Sequence, residues 1–464
     1  MAIGSGTTSM PELGAEALRK LEISLTGDVL RPDHPAYNSA RSLYNALIDK
    51  HPALIVRCRG ASDVARALEF AHRHDLLVAV RGGGHNVAGK ALCDGGMVID
   101  LSGMKGIRVD PAGRSVRAEA GLTWGEFDRG TQEHGLATTG GFISTTGIAG
   151  LTLGGGLGWL MRRYGLSCDN LQSVEIVTAD GRVRTAGANE NADLFWGVRG
   201  GGGNFGVVTS FEYRLHPVGE MLAGVVFFPL DRANGALRYY RDLMATAPDE
   251  LMAYAVFLTS PEGARMFAIP VCYVGPVEAA ESALLPVRSL PGVAADSVRP
   301  MTYREIQSMF DPALPGGRLN YWKSNFLREL SDRAIETLVS HFSEVPSPFA
   351  TLALEPFGGA VGRVGVDETA FPHRLAHYSL VILGIWTDPV EQATHVRWVR
   401  ELWEAMQPYS SEAVYVNYLD VDDTDRVRSA YGGATYRRLQ LLKEKYDPEN
   451  FFRMNQNIGL ATRA

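Results

Sequence analysis

The sequence predicts an α+β chain of two domains, the second built on a mixed or antiparallel sheet covered by helices. Three features carry this. From about residue 53 to 217 the text is rich in glycine and alternates short apolar strands with helical segments, the rhythm of an α/β region. From 218 to about 410 glycine thins out and longer strand-like runs alternate with helices, which suits a sheet carrying helices on one side. The last stretch, 411–464, holds one helix and a loop rich in asparagine. The expected domains are therefore 1–217, with a core at about 48–217, then 218–410, and a C-terminal segment returning to the first domain.

In chain order, 61–73 reads as an amphipathic helix with Val64, Ala67, Leu68 and Ala71 on one face. Strands are expected at 78–81, 97–101, 115–118, 173–178 and 207–215 from β-branched, alternating text. In the second region strands are expected at 223–228, 252–259, 266–273, 351–356 and 378–386, and helices at 233–247 and 333–342. The tail helix is expected at 435–445.

Composition narrows the function. The 464 residues are 45% hydrophobic and 21% charged, as in globular proteins, with a formal charge of −7 that lacks the basic footprint of a nucleic-acid binder. The four cysteines, Cys58, Cys93, Cys168 and Cys272, are too scattered for a disulfide framework or a metal site. There is no apolar run of about 18 residues to span a membrane, and residues 1–10 lack the basic and apolar regions of a secretion signal. A cytoplasmic monomer or homodimer acting on a small molecule is the expectation.

Three glycine blocks carry the chemistry. Arg81-Gly82-Gly83-Gly84-His85-Asn86 follows the apolar run 76–80, so a strand delivers nearly bare backbone amides and then one imidazole. Such amides form an anion nest, and glycine lets backbone lie against a ligand; a plain Gly-rich turn is the alternative. The second block contains Gly140, Gly141, Thr145, Thr146, Gly147, Gly150, Thr152, Gly154, Gly155, Gly156 and Gly158, with no charge before Arg162. Its amides and hydroxyls suit phosphate oxygens, against the alternative of strands that need glycine for packing. The third, 200–206, contains the dinucleotide string G-x-G-x-x-G at Gly201, Gly203 and Gly206, but strand-like text follows, so a nicotinamide-type site is rejected.

These blocks, with Arg163-Tyr164-Gly165-Leu166, Asp169-Asn170, Asp193-Leu194-Phe195-Trp196 and the tail 450–458, closely resemble the berberine bridge enzyme-like FAD-linked oxidases, of the p-cresol methylhydroxylase and vanillyl-alcohol oxidase (PCMH-type) fold. The resemblance implies FAD with its pyrophosphate on 81–86 and its ring attached through the 8α carbon to His85. It also implies cofactor contacts from the second block and from Gly89, Trp159, Asn170, Gly206, Val207, Val208, Asn417, Asn455 and Asn457. Many relatives carry a second link through cysteine, but Ile143 stands at that position, so one covalent bond is expected, as in bacterial 6-hydroxynicotine oxidases.

Tyr415-Val416-Asn417-Tyr418 resembles the family's Tyr-x-Asn-Tyr motif, which implies that Tyr418, with Tyr415 beside it, deprotonates a substrate hydroxyl. A phenol with an ordinary pKa near 10 is a poor base at neutral pH, so a cationic or hydrogen-bonding neighbour is expected, with Lys323 the candidate. Tyr321, Trp386 and Glu355 are expected to bind substrate; Glu355 inside a strand would be costly unless paired. The expected activity is hydride removal from a C–OH or C–N bond with O2 as oxidant. A dehydrogenase using another acceptor and a non-catalytic flavin-binding protein are the alternatives.

Overall fold

The computed structural model describes residues 13–461, so the leaderless N-terminus expected over residues 1–10 lies outside the described residues. The chain folds into layered sheets and helices around two large apolar cores. The first sheet has the order Asp28–Leu30, Leu54–Arg57, Met97–Asp100, Val78–Arg81. The last three of these strands are parallel, and the helix Ala61–Arg73 connects two of them with Val64, Ala67, Leu68 and Ala71 buried, as its periodicity predicts. Five antiparallel strands follow, ordered Ile107–Asp110, Ser115–Glu119, Gly206–Arg214, Leu171–Thr178, Val183–Gly187. The string at 201–206 thus opens a strand rather than a helix, and the nicotinamide-type fingerprint fails on its context.

The second core belongs to a nine-stranded sheet whose pairings are all antiparallel. The helices Ala233–Thr246, Asp332–Phe342 and Gln392–Met406 cover one face, where Leu237, Leu338 and Val399 meet strand residues such as Leu352, Leu354 and Ile382. Alternation sends Ala353, Val381, Leu383 and Ile385 to the other face, with Trp322 and Tyr418 packed against them. The strand Leu319–Leu327 and the helix Gln392–Met406 go beyond the elements expected from sequence. Polar residues interrupt the strand's apolar pattern, and they are tolerated because other segments hydrogen-bond to them. The run expected at 252–259 divides at Tyr254 into Leu251–Ala253 and Ala255–Thr259, both paired with Arg265–Tyr273.

The tail returns to the first sheets. Met454 bridges Ala79, and the buried Lys443 ammonium donates to the carbonyls of Asn204 and Phe452 and to Asp447. Among the described residues no helix is long and apolar enough to cross a membrane, and no cluster of His, Cys, Asp and Glu could hold a metal.

Candidate active site

Two of the glycine blocks meet in space. A Cβ added to Gly83 would lie 2.3 Å from the Gly147 amide nitrogen, so these two backbones approach as only glycine permits. Together with Gly82, Gly84, Gly202, Gly203, Gly206 and the tail residues Asn455 and Gln456 they wall a cavity of about 970 Å³ that extends to the bare face of the nine-stranded sheet. Gly84 turns the chain at φ +72, leaving His85 half-buried in this wall.

The His85 ring stacks on Tyr44, centroids 4.4 Å apart and planes 24° from parallel. Its Nε2 lies 2.9 Å from Thr145 Oγ1 and its Nδ1 3.3 Å from Thr146 Oγ1. Burial pushes its pKa down to about 4. At neutral pH the ring is uncharged and one nitrogen keeps a lone pair, as a nucleophile requires.

FAD, which the resemblance implies, fits the residues present. Asn455 Nδ2 donates to the carbonyls of Gly203 and Phe452, while its Oδ1 and the Tyr431 hydroxyl are buried in the cavity wall without partners. Unmet groups of this kind cost about 1–3 kcal/mol each, so they call for a ligand that bears hydrogen-bonding atoms. Lys90 also lines the cavity near Asn86, and burial lowers its pKa. Gly82, Gly83, Gly84, His85, Asn86, Gly141, Thr146, Gly147, Gly150, Val207, Val208 and Asn417 all line the cavity.

Several expected cofactor contacts are placed elsewhere, each for a packing reason. Arg81 donates to the Ala40 carbonyl; Gly89 packs on Ile48, Gly140 on Trp124, and Gly158 on the Gly140 carbonyl. Thr152 bonds Tyr213, 2.8 Å away. Trp159 sits in an aromatic cluster with Tyr254, Phe142 and Phe310. Asn170 donates to the carbonyls of Tyr164 and Leu166. Asn457 lies in the tail with an unpartnered Oδ1, outside the cavity lining. Gly154, Gly155 and Gly156 make room for Asn417, Phe371 and Ser167. The Gly156 amide and Asn417 Nδ2 both donate to the Tyr415 hydroxyl, at 2.9 and 2.8 Å. This part of the second block therefore seats the tail motif, and Tyr415 acts by holding Asn417.

At the sheet end, the Tyr418 hydroxyl donates to Glu355 Oε1 at 2.6 Å. Edge contacts link this pair back to His85: Trp322 meets Tyr418 at 6.1 Å and Tyr44 at 6.4 Å. Burial pushes Glu355 up to about 7, against the hydrogen bond from Tyr418, and pushes Tyr418 well above 10. The Ser379 hydroxyl, directly across the strand pair, also favours the carboxylate, while Glu355 Oε2 is buried without a well-aligned hydrogen bond.

The expectation of a cation lowering Tyr418 is corrected. Lys323 Nζ donates to Asp422 at 2.8 Å and Asp423 at 2.7 Å, and Glu355 is the neighbour that Tyr418 has. Alternation is the reason: within Leu319–Leu327, Trp322 faces the cavity, so Tyr321 and Lys323 face the other way. Tyr321 donates to Asp422, and Trp386 stacks on His395 at 5.1 Å within the helix-covered core. Neither lines the cavity, whereas Glu355 does. Tyr44, Lys90, Tyr254 and Trp322 line it without having been picked out from sequence, and no local signal marks them.

Lys323 and Asp423 are 6% and 2% exposed. Lys323→Met is expected to destabilise the fold by about 3 kcal/mol, the low end for a broken buried pair, because Arg426 also contacts Asp423 at 3.2 Å. Denaturant unfolding measures it, and an unchanged midpoint would refute this anchoring.

Comparison with known proteins agrees with this geometry. Residues 52–187 match the FAD binding domain family and residues 414–459 the berberine and berberine-like family. The chain is 33% identical over 445 residues to the uncharacterized FAD-linked oxidoreductase YgaK of Bacillus subtilis, covering 94% of this chain and 97% of that protein. It is 31% identical to (R)-6-hydroxynicotine oxidase of Paenarthrobacter nicotinovorans over 94% of this chain and 97% of that one. The crystal structure of 6-hydroxy-D-nicotine oxidase from Arthrobacter nicotinovorans superimposes with a TM-score of 0.87 at 29% identity, covering 94% of this chain and 98% of that one. Near-complete coverage by such relatives, on a PCMH-type fold whose glycine blocks wall one cavity, means that the chain belongs to the berberine bridge enzyme-like family of FAD-linked oxidoreductases.

Proposed function

We propose that this enzyme is an oxidase that removes hydride from a C–OH or C–N bond of a small or medium organic substrate, with O2 reduced to H2O2. FAD supplies the hydride acceptor when bound. In this reading the region up to residue 217 and the tail from 411 hold the cofactor, His85 is its single covalent tether, and residues 218–410 supply the substrate wall. Ile143 lines the cavity and no cysteine does among the described residues, which supports one link rather than two. The four free, buried cysteines suit a reducing compartment such as the cytoplasm.

The observation that carries the chemistry is the Tyr418–Glu355 hydrogen bond at the sheet end of the cavity. With a pKa of about 7, Glu355 is the group able to accept a proton at neutral pH. A substrate hydroxyl that reaches the unpartnered Oε2 gives its proton to that carboxylate directly; one beside Tyr418 gives it to the phenol oxygen as the phenol proton moves to Oε1. Tyr418 is thus a relay, and the base is Glu355.

Anaerobic mixing with alcohols and amines, followed by stopped-flow reoxidation, tests the reading. Bleaching of the flavin followed by fast recovery in O2, with one H2O2 per turnover, is expected. Sluggish recovery would make the protein a dehydrogenase, and no bleaching by either class would favour a binding role.

A further inference from the structure

The sheet wall of the cavity carries more information than the reacting pair. Five of its positions, Val256, Leu258, Ala353, Val381 and Leu383, are aliphatic, and Trp322 adds an aromatic surface. These residues come from four neighbouring strands, so the apolar surface is continuous and rigid rather than a single exposed side chain. Polar groups here are few. The Thr351 hydroxyl is spent on the Phe257 carbonyl at 2.6 Å. The Arg318 guanidinium lies 3.9 Å over the Phe349 ring and donates to the Ala313 carbonyl. Among the fully buried polar atoms of this wall, Glu355 Oε2, the Tyr254 hydroxyl and the Thr259 hydroxyl have no partner.

We infer that the substrate is a largely apolar alcohol, a hydrocarbon or aromatic body with its reacting hydroxyl at Glu355, and not a sugar or other polyol. The inference rests on the Glu355–Tyr418 pair being the reacting end, as proposed above. A sugar would place several hydroxyls against the aliphatic and indole surface of this wall, and each buried hydroxyl without a partner loses roughly tenfold in affinity. Each methylene laid on the aliphatic wall gains about fourfold. Glu355 is the only carboxyl lining the cavity among the described residues, and it must be free to take the proton, so no second carboxylate stands ready as counter-ion to a substrate cation. In the reaction the hydroxyl proton passes to the Glu355 carboxylate and the carbinol carbon gives up its C–H as hydride, two electrons and one proton, to the FAD of the holoenzyme. The C–O bond becomes a carbonyl.

The test separates binding from turnover. Tertiary alcohols of increasing chain length have no carbinol C–H to lose, and their affinities for the wild-type holoenzyme are read by isothermal titration calorimetry. About fourfold tightening per methylene over the first several carbons is expected, with no detectable binding of glucose or cellobiose at the same concentrations. A flat series, or sugars binding as tightly as the long alcohols, would overturn the inference. In parallel, primary benzylic and long-chain alcohols are expected to bleach the flavin anaerobically where sugars and alkylamines do not. Bleaching by sugars or amines alone overturns the substrate class and leaves the oxidoreductase reading standing. Tightening along the tertiary series with no bleaching by any alcohol, sugar or amine places the failure in the proposed reaction instead.

Discussion

Glu355→Gln is expected to slow anaerobic flavin reduction by about 10²–10⁴-fold, the usual contribution of a positioned general base. Flavin content should stay unchanged, because Glu355 lies on the nine-stranded sheet, away from the glycine walls, and the amide can still accept from Tyr418. The pH profile gives the sharper reading. Burial holds Glu355 at about 7 in the fold, so its carboxylate is lost as pH falls through 7, and wild-type reduction should rise with pH across that value. The limb should vanish in Glu355→Gln. A wild-type rate that is flat from pH 6 to 8 would remove Glu355 from the role of base.

Stability should move in the opposite sense. The folded pKa lies above the unfolded value near 4.5, so the fold binds this proton more tightly than the unfolded chain does. The cost of ionising the buried carboxyl is absent below about pH 4.5, grows as pH rises, and levels off above 7 at up to about 3 kcal/mol. Glutamine carries no such cost. The variant should therefore melt higher than wild type at pH 8 and close to it at pH 4. Calorimetry at the two pH values checks this without any turnover.

His85→Ala carries the second large effect, and it is all-or-none. Acid-precipitated wild-type protein is expected to stay fluorescent with bound flavin, and the variant's pellet is expected to be dark. A fluorescent His85→Ala pellet would refute His85 as the tether. The neutral ring adds a condition: with a pKa of about 4, the imidazole keeps its lone pair at pH 5.5, where an ordinary histidine near 6.5 is mostly protonated. Flavin attachment to apoprotein should therefore proceed at pH 5.5 and fail only as pH approaches 4. The two variants also separate the ends of the cavity, since Glu355→Gln should keep a fluorescent pellet.

Much of the cofactor end was legible because its constraints are local. Backbone that must touch other backbone, as Gly83 touches Gly147, has to be written as glycine in any fold. A strand that ends in such a loop has to be an apolar run, and Val78–Arg81 is one. The same locality explains why the string at 201–206 could be rejected from the β-branched text that follows it.

The substrate end was legible only in part. Glu355 stood out because a carboxyl inside an apolar strand needs a partner, but the partner, Tyr418, lies 63 positions away. Alternation in Leu319–Leu327 separates Trp322 from Tyr321 and Lys323, yet nothing local says which of the two sets meets the cavity. That was decided by helices such as Gln392–Met406 covering one face and the tail crossing the other, so Lys323 became an anchor for Asp422 and Asp423 while Trp322 met Tyr418.

The sequence by itself determined the backbone of this protein's site: the glycine walls, the single imidazole among them and the motif at 415–418 follow from what residue type each local conformation admits. The tertiary structure alone decided which side chains meet at the sheet end of the cavity. Glycines 154–156 became the seat for Tyr415 and Asn417, and the partner of Tyr418 became Glu355 rather than a lysine. The physical reason is that a pKa and a sheet face are set by neighbours brought from distant parts of the chain, whereas φ and close approach are set in place.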